Sequence, residues 1–225
     1  DIFNMDLQRA KQICDLVIAS GLQLGFQFGN GVRLERFDEE LMRKLAEAGT
    51  HHIAIAVESA NDRIQRLIKK HLKLSRFNEI LGWARKYKIE TLGFFMLGFP
   101  GETIEEINQT IRFACESYFD EALFSIATPY AGTELNDLVR ATGSYEGGRD
   151  MHDEWEGVVR IKSEEWDQKK LKGLQRKAYF LFFLTRFRFA GVLLKMKNPK
   201  MFRRYWAALT RNFMPFFEAQ RSRIN

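Results

Sequence analysis

The chain has 225 residues, 45% of them apolar, which is enough for one full hydrophobic core and a small appendage. Its two cysteines, Cys14 and Cys115, lie far apart without a C-x-x-C spacing, which excludes a disulfide framework or a cysteine metal site built from them. Residues 160–225 hold 17 Lys or Arg against 4 Asp or Glu, which gives this region a net charge of +13. Since the whole chain carries +6, residues 1–159 carry −7.

The first predicted elements are a helix and a strand. A helix capped by Asp6 runs to Gly21, and a strand over residues 22–28 follows, closed by a turn at 29–31. The helix carries an apolar face formed by Ile13, Leu16 and Val17.

Further helices and strands alternate after this turn. Asp38 caps the next helix, and a strand over residues 53–57 ends at Glu58. Two helical segments, 61–70 and 75–87, lead from there to the next strand.

Residues 89–103, I-E-T-L-G-F-F-M-L-G-F-P-G-E-T, form the most informative stretch of the chain. An apolar strand over 92–97 is broken by two glycines and a proline, and Thr103 opens a helix by a T-x-x-E capping box with Glu106. Glycines would let a ligand approach the backbone, and the helix would point free N–H groups toward the strand tip. A tight turn without a ligand explains the same residues equally well.

A fourth strand, residues 122–127, ends in T-P-Y-A-G-T. Strands that recur every thirty to forty residues with helices between them predict βα units on a parallel sheet, whose carboxyl-end loops converge on one site. We expect residues 1–140 to form this domain, 141–162 a connector and 163–225 a basic helical region with helices over 163–195 and 199–212.

Five stretches of the chain, in this order, resemble the radical S-adenosylmethionine (radical SAM) enzymes, and most closely the branch with an upstream cobalamin-binding domain. They are D-I-F-N-M-D, N-G-V-R-L-E-R-F-D-E-E-L-M-R-K-L-A-E-A-G, A-V-E-S-A-N-D-R-I followed by Lys70, F-F-M-L-G-F-P-G-E-T and P-Y-A-G-T-E-L. The resemblance covers residues 1–140, and five motifs in series are far more specific than one glycine motif.

The resemblance implies an α/β fold, a partial (β/α)6 TIM-like barrel of parallel strands with a C-terminal helical tail. It implies S-adenosylmethionine and a [4Fe–4S] cluster as cofactors, and reductive cleavage that yields a 5′-deoxyadenosyl radical. The family's C-x-x-x-C-x-x-C cluster motif is absent from this sequence. We therefore expect the first βα unit, the cluster ligands and any cobalamin domain to lie in a missing N-terminal segment, and the fragment itself to be inactive.

For the polar end of the cofactor, the resemblance implies four contacts. Glu58 would accept both hydroxyls of the ribose, and Lys70 would bind the methionyl carboxylate. Arg33 and Asn30 are weaker candidates for the same end. Each has a plainer alternative: a charge at a helix N-terminus for Glu58, a solvated cation for Lys70, and the completion of a turn for Arg33 and Asn30.

For the adenine end, the resemblance implies apolar and backbone contacts. Met96 and Gly98, with Phe95, would contact the adenine, and Pro129 would line the same mouth. Core packing explains the side chains of Phe95 and Met96 equally well, because strand residues alternate between two faces.

We assign no metal ligands within this sequence. His51 and His52 are adjacent, so in a strand they face opposite sides. His152 lies among acidic residues, but a solvated loop explains that cluster more simply.

The aromatic and basic C-terminal region suits a membrane surface, a partner domain or an electron donor protein. Nucleic acid is disfavoured because no RNA-binding module is appended. The chain also lacks a signal peptide and an apolar run of membrane-spanning length, so we expect a cytoplasmic protein, peripheral to the membrane if the tail binds lipid.

We expect the full-length enzyme to modify an unactivated C–H position, by methylation or ring rearrangement, on a small tetrapyrrole- or lipid-like substrate. Two alternative functions remain open from the sequence. One is an α/β enzyme that binds a phosphate ligand through its glycine-rich turns, and the other is a membrane-surface or partner-binding module that acts through Arg203, Arg204 and Trp206.

Overall fold

The computed structural model describes residues 3–33, 36–144 and 161–188. Helices and strands alternate through most of these ranges, which confirms the predicted α/β class. In chain order the elements are α1 Leu7–Ala19, β1 Phe26–Val32, α2 Glu39–Glu47, β2 Thr50–Glu58, α3 Asp62–Leu67, α4 Phe77–Lys86, β3 Glu90–Leu97, α5 Ile104–Glu116, β4 Glu121–Ile126, α6 Glu134–Ala141 and α7 Gln168–Leu184.

The four strands form one parallel sheet in the order β1-β2-β3-β4. Helices connect each strand to the next, as the repeating pattern predicts. Because parallel neighbours point the same way, all four carboxyl ends lie along one edge of the sheet.

The helix caps form largely where the sequence places them. Asp6 and Asp38 each accept the backbone N–H three residues further on, and Thr103 makes the predicted capping box with Glu106. These bonds satisfy backbone donors that a helix start otherwise leaves without partners. One helix, α6, was not predicted, although Thr133 caps it in the same manner.

The first strand lies four residues later than predicted. Strand β1 covers Phe26–Val32, so the prediction of a strand at 22–28 closed by a turn at 29–31 is wrong. Phe28 pairs with Ile53 and Val32 with Ile55, so three residues of β1 oppose one of β2. The glycines form a bulge in the strand, where Gly31 takes a φ of 93°.

The two faces of the sheet differ in burial. On β3, Phe95 and Leu97 point into the core, where Phe95 packs within an aromatic cluster, while Phe94 and Met96 lie on the opposite, half-buried face. The alternative that Phe95 packs in the core is therefore confirmed. Met96 is partly buried and also packs against the core.

Helix α1 buries a different stripe from the one its sequence suggested. Ile13 and Leu16 are 38% and 71% exposed, whereas Ala10 and Cys14 are buried. The apolar residues at helical spacing that contact the core are Leu7, Ala10, Cys14 and Val17.

Helix α7 closes the outer edge of β4. The Gln175 amide donates to the Phe124 carbonyl at 2.7 Å. The Tyr179 hydroxyl accepts the Phe124 N–H at 3.1 Å and donates to its carbonyl at 3.3 Å. Side chains thus take the place of a further strand at this edge.

The predicted helix over 163–195 is shorter in the structure. It begins at Gln168 after an Asp167 cap and ends at Leu184, because Arg186 takes a left-handed φ of 55°. The predicted helix at 199–212 and most of the connector, residues 145–160 with His152, lie outside the described residues.

Two arginines of the aromatic region bind the protein's own fold. Arg188 donates to the carbonyls of Cys115 and Phe119, at the end of α5, and Arg186 lies over the Tyr118 ring at 4.1 Å. Arg203, Arg204 and Trp206 lie outside the described residues, so the membrane hypothesis stays a prediction.

Candidate functional site at the carboxyl edge of the sheet

Three predicted site residues follow neighbouring strands at one edge of the sheet. Glu58, the last residue of β2, pairs with Phe95, and the Ala127 N–H donates to the Leu97 carbonyl at 2.9 Å. Gly98 therefore comes directly after a paired position on β3, and Pro129 lies two residues after Ala127, beyond the end of β4. The structure brings Glu58, Gly98 and Pro129 to the same edge.

Glu58 and Lys70 form an ion pair at this edge. The Lys70 ammonium lies 2.9 Å from Glu58 Oε1, and the two side chains are 27% and 23% exposed. Lys70 bonds only one of the two carboxylate oxygens, so Oε2 can accept from a ligand hydroxyl. The sequence separates these residues by twelve positions, and the structure joins them.

The backbone at Glu58 is strained. Glu58 takes a φ of 65°, a left-handed conformation that costs a non-glycine residue about 1 kcal/mol or more. A register shift between Ala56 and Glu58 accompanies it. Strained residues persist where their surroundings hold them, which is frequent at ligand sites.

Gln65 is the side chain that holds this backbone, and the sequence analysis missed it. Its amide nitrogen donates to the Val57 carbonyl at 2.9 Å and to the Ser59 carbonyl, on either side of Glu58. Its amide oxygen accepts the Leu72 N–H at 3.3 Å. One residue, 2% exposed, thus fixes the ends of both segments that carry the ion pair.

Asn4 plays a similar part for Arg33. Its side-chain amide donates to the Arg33 carbonyl at 2.6 Å and accepts the Arg33 N–H at 3.1 Å, as a neighbouring strand would. Arg33 follows β1 directly, and Asn30 lies exposed in the bulge. Because β1 pairs with β2, both residues flank the strand that ends in Glu58.

Gly98 is needed for packing as well as for the turn. Its φ is 85°, and a Cβ built on it would lie 2.5 Å from Leu171 Cδ2 on α7. The expectation that the missing side chain makes room for a ligand therefore needs correction at this position: the space is occupied by Leu171. Its N–H is also taken, by Glu102 at 2.6 Å.

The N–H groups at the start of α5 are occupied too. Thr103 N–H donates to Glu106, and Ile104 N–H donates to Glu165 at 2.8 Å. The expectation of free donors pointing at the strand tip is therefore wrong for Thr103 and Ile104, because carboxylates of the protein already accept from their N–H groups. A phosphate-binding turn would need these donors.

A two-point contact secures the turn from the α3 side. The Arg63 guanidinium donates to both oxygens of Glu106, at 2.7 and 2.6 Å, and to the Gly101 carbonyl. The hydrogen bond from Arg63 is the main reason why the pKa of Glu106 falls to about 2. Helix α3 and the turn after β3 are thus joined by a charge-assisted pair.

The β4 loop is held by its own helix. Pro129 is buried, and its carbonyl accepts from the Asn136 amide at 2.9 Å. This bond fixes the T-P-Y-A-G-T loop against α6. Pro129 can therefore line the edge but its carbonyl already has a partner.

The described residues provide no ligand set for an iron–sulfur cluster. Cys14 and Cys115 are both buried, on different helices, and no group of three His, Cys, Asp or Glu side chains in the described ranges could hold a metal. Across the same part of the chain, no helix has the length and apolarity to cross a bilayer.

Comparison with known proteins identifies a family for part of this chain. Residues 26–114 match the model of the Radical SAM superfamily. An uncharacterized methyltransferase of Pyrococcus horikoshii is 31% identical over 188 residues, which cover 82% of this chain and 39% of the relative.

Two solved structures share the fold. Coproporphyrinogen III oxidase of Escherichia coli, a radical SAM enzyme, matches with a TM-score of 0.53 and 15% identity over 77% of this chain and 36% of that chain. The radical S-adenosylmethionine methyltransferase TsrM of Kitasatospora setae, solved with cobalamin and a [4Fe–4S] cluster, matches with a TM-score of 0.50 and 17% identity over 58% of this chain and 27% of that chain.

The chain spans less than half the length of these relatives. Its four-stranded parallel sheet corresponds to part of the TIM-like barrel of such enzymes, as the sequence predicted. The family match and the relative agree, and residues 26–114 belong to the Radical SAM superfamily.

Proposed function

We propose that the carboxyl edge of this sheet binds S-adenosylmethionine, and that the full-length protein is a radical SAM enzyme that modifies an unactivated C–H position. The observation that carries the proposal is the Glu58–Lys70 ion pair on strained backbone at the strand tips. A carboxylate and an ammonium side by side match a ligand that carries both a ribose diol and a carboxylate.

The ion pair can open for such a ligand at low cost. A partly exposed Lys–Glu pair contributes about 0–1 kcal/mol, so new bonds to the ligand can replace it. Glu58 would accept from the ribose hydroxyls and Lys70 would donate to the methionyl carboxylate, with Arg33 and Asn30 at the same end. Met96, on the half-buried face of β3, would contact the adenine, next to the Gly98 backbone and Pro129.

The chain's own residues bind and orient, and the reactive groups come from elsewhere. One-electron reduction of the sulfonium supplies the radical chemistry of the family. The [4Fe–4S] cluster would be held by a segment outside this chain, and cobalamin by a further domain. Without these parts we expect the 225-residue chain to be inactive.

Methylation is the reaction we favour, because the 31% identical relative is described as a methyltransferase. Ring rearrangement is the alternative within the same chemistry. For the substrate we propose an apolar tetrapyrrole- or lipid-like molecule. The support for this is the aromatic content of the whole C-terminal region, residues 163–225, in the sequence.

A comparison of two Lys–Glu pairs tests the binding site. Lys70–Glu58 and Lys69–Glu134 use adjacent lysines at 2.9 and 2.8 Å, but the second pair is 68% and 80% exposed. In the full-length protein, we expect Glu58→Gln and Lys70→Met to weaken S-adenosylmethionine binding about tenfold or more, since each removes a charged hydrogen bond.

Lys69→Met and Glu134→Gln are the matched controls and should bind as the wild type does. Isothermal titration calorimetry measures all four affinities, and circular dichroism verifies that each variant is folded. Equal affinity in the two sets of variants would mean that the ion pair has no part in cofactor binding.

A further inference from the structure

Glu102 is a carboxyl group enclosed between the turn after β3 and the segment that leads into α7. Its Oε2 accepts two backbone N–H groups, from Gly98 at 2.6 Å and from Phe99 at 3.0 Å. The residue is 0% exposed, and its Oε1 has no hydrogen-bond partner among the described residues. None of the cofactor contacts proposed above uses this side chain.

The enclosure favours the neutral form of the acid. A buried oxygen that carries part of a negative charge without a partner costs far more than a buried hydroxyl without a partner. Accordingly, burial raises the pKa of Glu102 from its usual 4.5 to about 7, against the opposing effect of its two backbone hydrogen bonds.

Two charged groups near Glu102 act on its pKa in opposite directions. From α5, Glu106 raises its pKa, and from α3, Arg63 lowers it. On the α7 side the contacts to the turn are uncharged: the Trp166 indole donates to the Glu102 carbonyl at 2.7 Å, and Leu171 packs on Gly98.

The nearest charges on that side have other partners. The Glu165 carboxylate accepts the Ile104 N–H, and the Lys170 ammonium donates to the Glu165 carbonyl. Neither reaches the unpartnered Oε1. The protonation state of Glu102 is therefore set mainly by its enclosure.

We propose that Glu102 is a positioning residue that shapes the Gly98–Phe99 turn as a neutral carboxylic acid, and that loss of its proton loosens this turn. Ionisation would draw water to Oε1 and disturb the packing of Trp166 and Leu171 against the turn. Because Gly98 lies at the carboxyl edge, the proposed cofactor site would then respond to pH near neutrality, a consequence that rests on the proposed function.

Nuclear magnetic resonance of the full 225-residue chain, labelled with ¹³C at the glutamate carboxyls and with ¹⁵N, tests the proposal without S-adenosylmethionine. We expect one carboxyl resonance to titrate with a midpoint near 7 and to be absent from Glu102→Gln. The amide signals of Gly98 and Phe99 should shift with the same midpoint and stay constant in Glu102→Gln.

Glu105→Gln, an exposed change three residues further on in the first turn of α5, is the matched control and should retain the titration of the turn amides. The proposal is overturned if the Glu102 carboxyl stays ionised through the neutral range, or if it titrates while both amides stay still. Should Glu102→Gln not fold, the wild-type amide titration decides alone. If the proposal for Glu102 is overturned, the proposal that the carboxyl edge binds S-adenosylmethionine still stands.

Discussion

At the scale of single residues, the candidate site depends on side chains that hold the backbone as much as on those that would touch a ligand. Gln65 bonds both carbonyls that flank Glu58 and the N–H of Leu72, and Asn4 bonds both backbone groups of Arg33. Glu58 could not keep its left-handed conformation without such support.

Replacing Gln65 tests this support. Gln65→Leu keeps the volume but removes the amide partners of the Ser59 carbonyl and the Leu72 N–H, while the Val57 carbonyl keeps the Ser59 N–H. We therefore expect the free energy of unfolding to fall by roughly 2 kcal/mol. Urea denaturation measures the loss. Gln8→Leu, on the exposed side of α1, is the control and should change stability little; similar losses in both variants would show that the Gln65 bonds are unimportant.

Residue identity also explains what the sequence could and could not predict about the site. Glu58 and Lys70 were found because strand tips and family motifs mark them, and the structure pairs them. Gln65 and Asn4 were missed because an amide in a helix or loop has no pattern that tells whether it faces backbone or water. Glu102 stands in the quoted G-F-P-G-E-T motif, but only the coordinates show that it is enclosed.

At the scale of elements, α7 is what gives the turn after β3 its shape. Leu171 fills the space beside Gly98, Trp166 bonds the turn, and side chains of α7 close the edge of β4. The tail therefore belongs to the structure of the domain at least as far as Leu184.

Two glycines of the same turn separate packing from backbone strain. Gly98 and Gly101 have φ values of 85° and 65°, so alanine at either site costs about 1–2 kcal/mol of strain. An alanine at 98 also meets Leu171, whereas nothing lies within 4 Å of a Cβ at 101. We expect Gly98→Ala to lower the thermal midpoint clearly more than Gly101→Ala; equal shifts would contradict the packing role.

The elements also show the limits of hydrophobic patterns. The number of strands, their parallel direction and most caps followed from period and capping residues, although the bounds of β1 did not. The bulge in β1 was read as a turn, because glycines give the same signal in both. The core-facing stripe of α1 was misplaced, because Ile13 and Leu16 are more apolar than the Ala10 and Cys14 that are buried.

At the scale of the whole molecule, ionisable groups at the turn after β3 make stability depend on pH. The pKa of Glu106 is lowered from 4.5 to about 2, chiefly by its hydrogen bond from Arg63. A lowered pKa means that the unfolded chain takes up the proton first as the pH falls. The stability that this pair contributes is therefore present above pH 4.5 and is lost as the pH falls toward 2.

Arg63→Met should remove part of that acid dependence. We expect its free energy of unfolding to fall less steeply than that of the wild type between pH 4.5 and 2, as followed by urea denaturation at each pH. Arg66→Met, an exposed change on the same helix, should keep the wild-type slope. Parallel slopes for wild type and Arg63→Met would refute the assignment.

The chain covers 39% of the length of its methyltransferase relative. The account rests on the carboxyl edge as the place where S-adenosylmethionine lies. The most direct measurement is a crystal structure of the full-length protein with S-adenosylmethionine bound. The account predicts ribose hydroxyls within hydrogen-bond distance of the Glu58 carboxylate and the methionyl carboxylate beside Lys70; a cofactor bound away from both residues would contradict it.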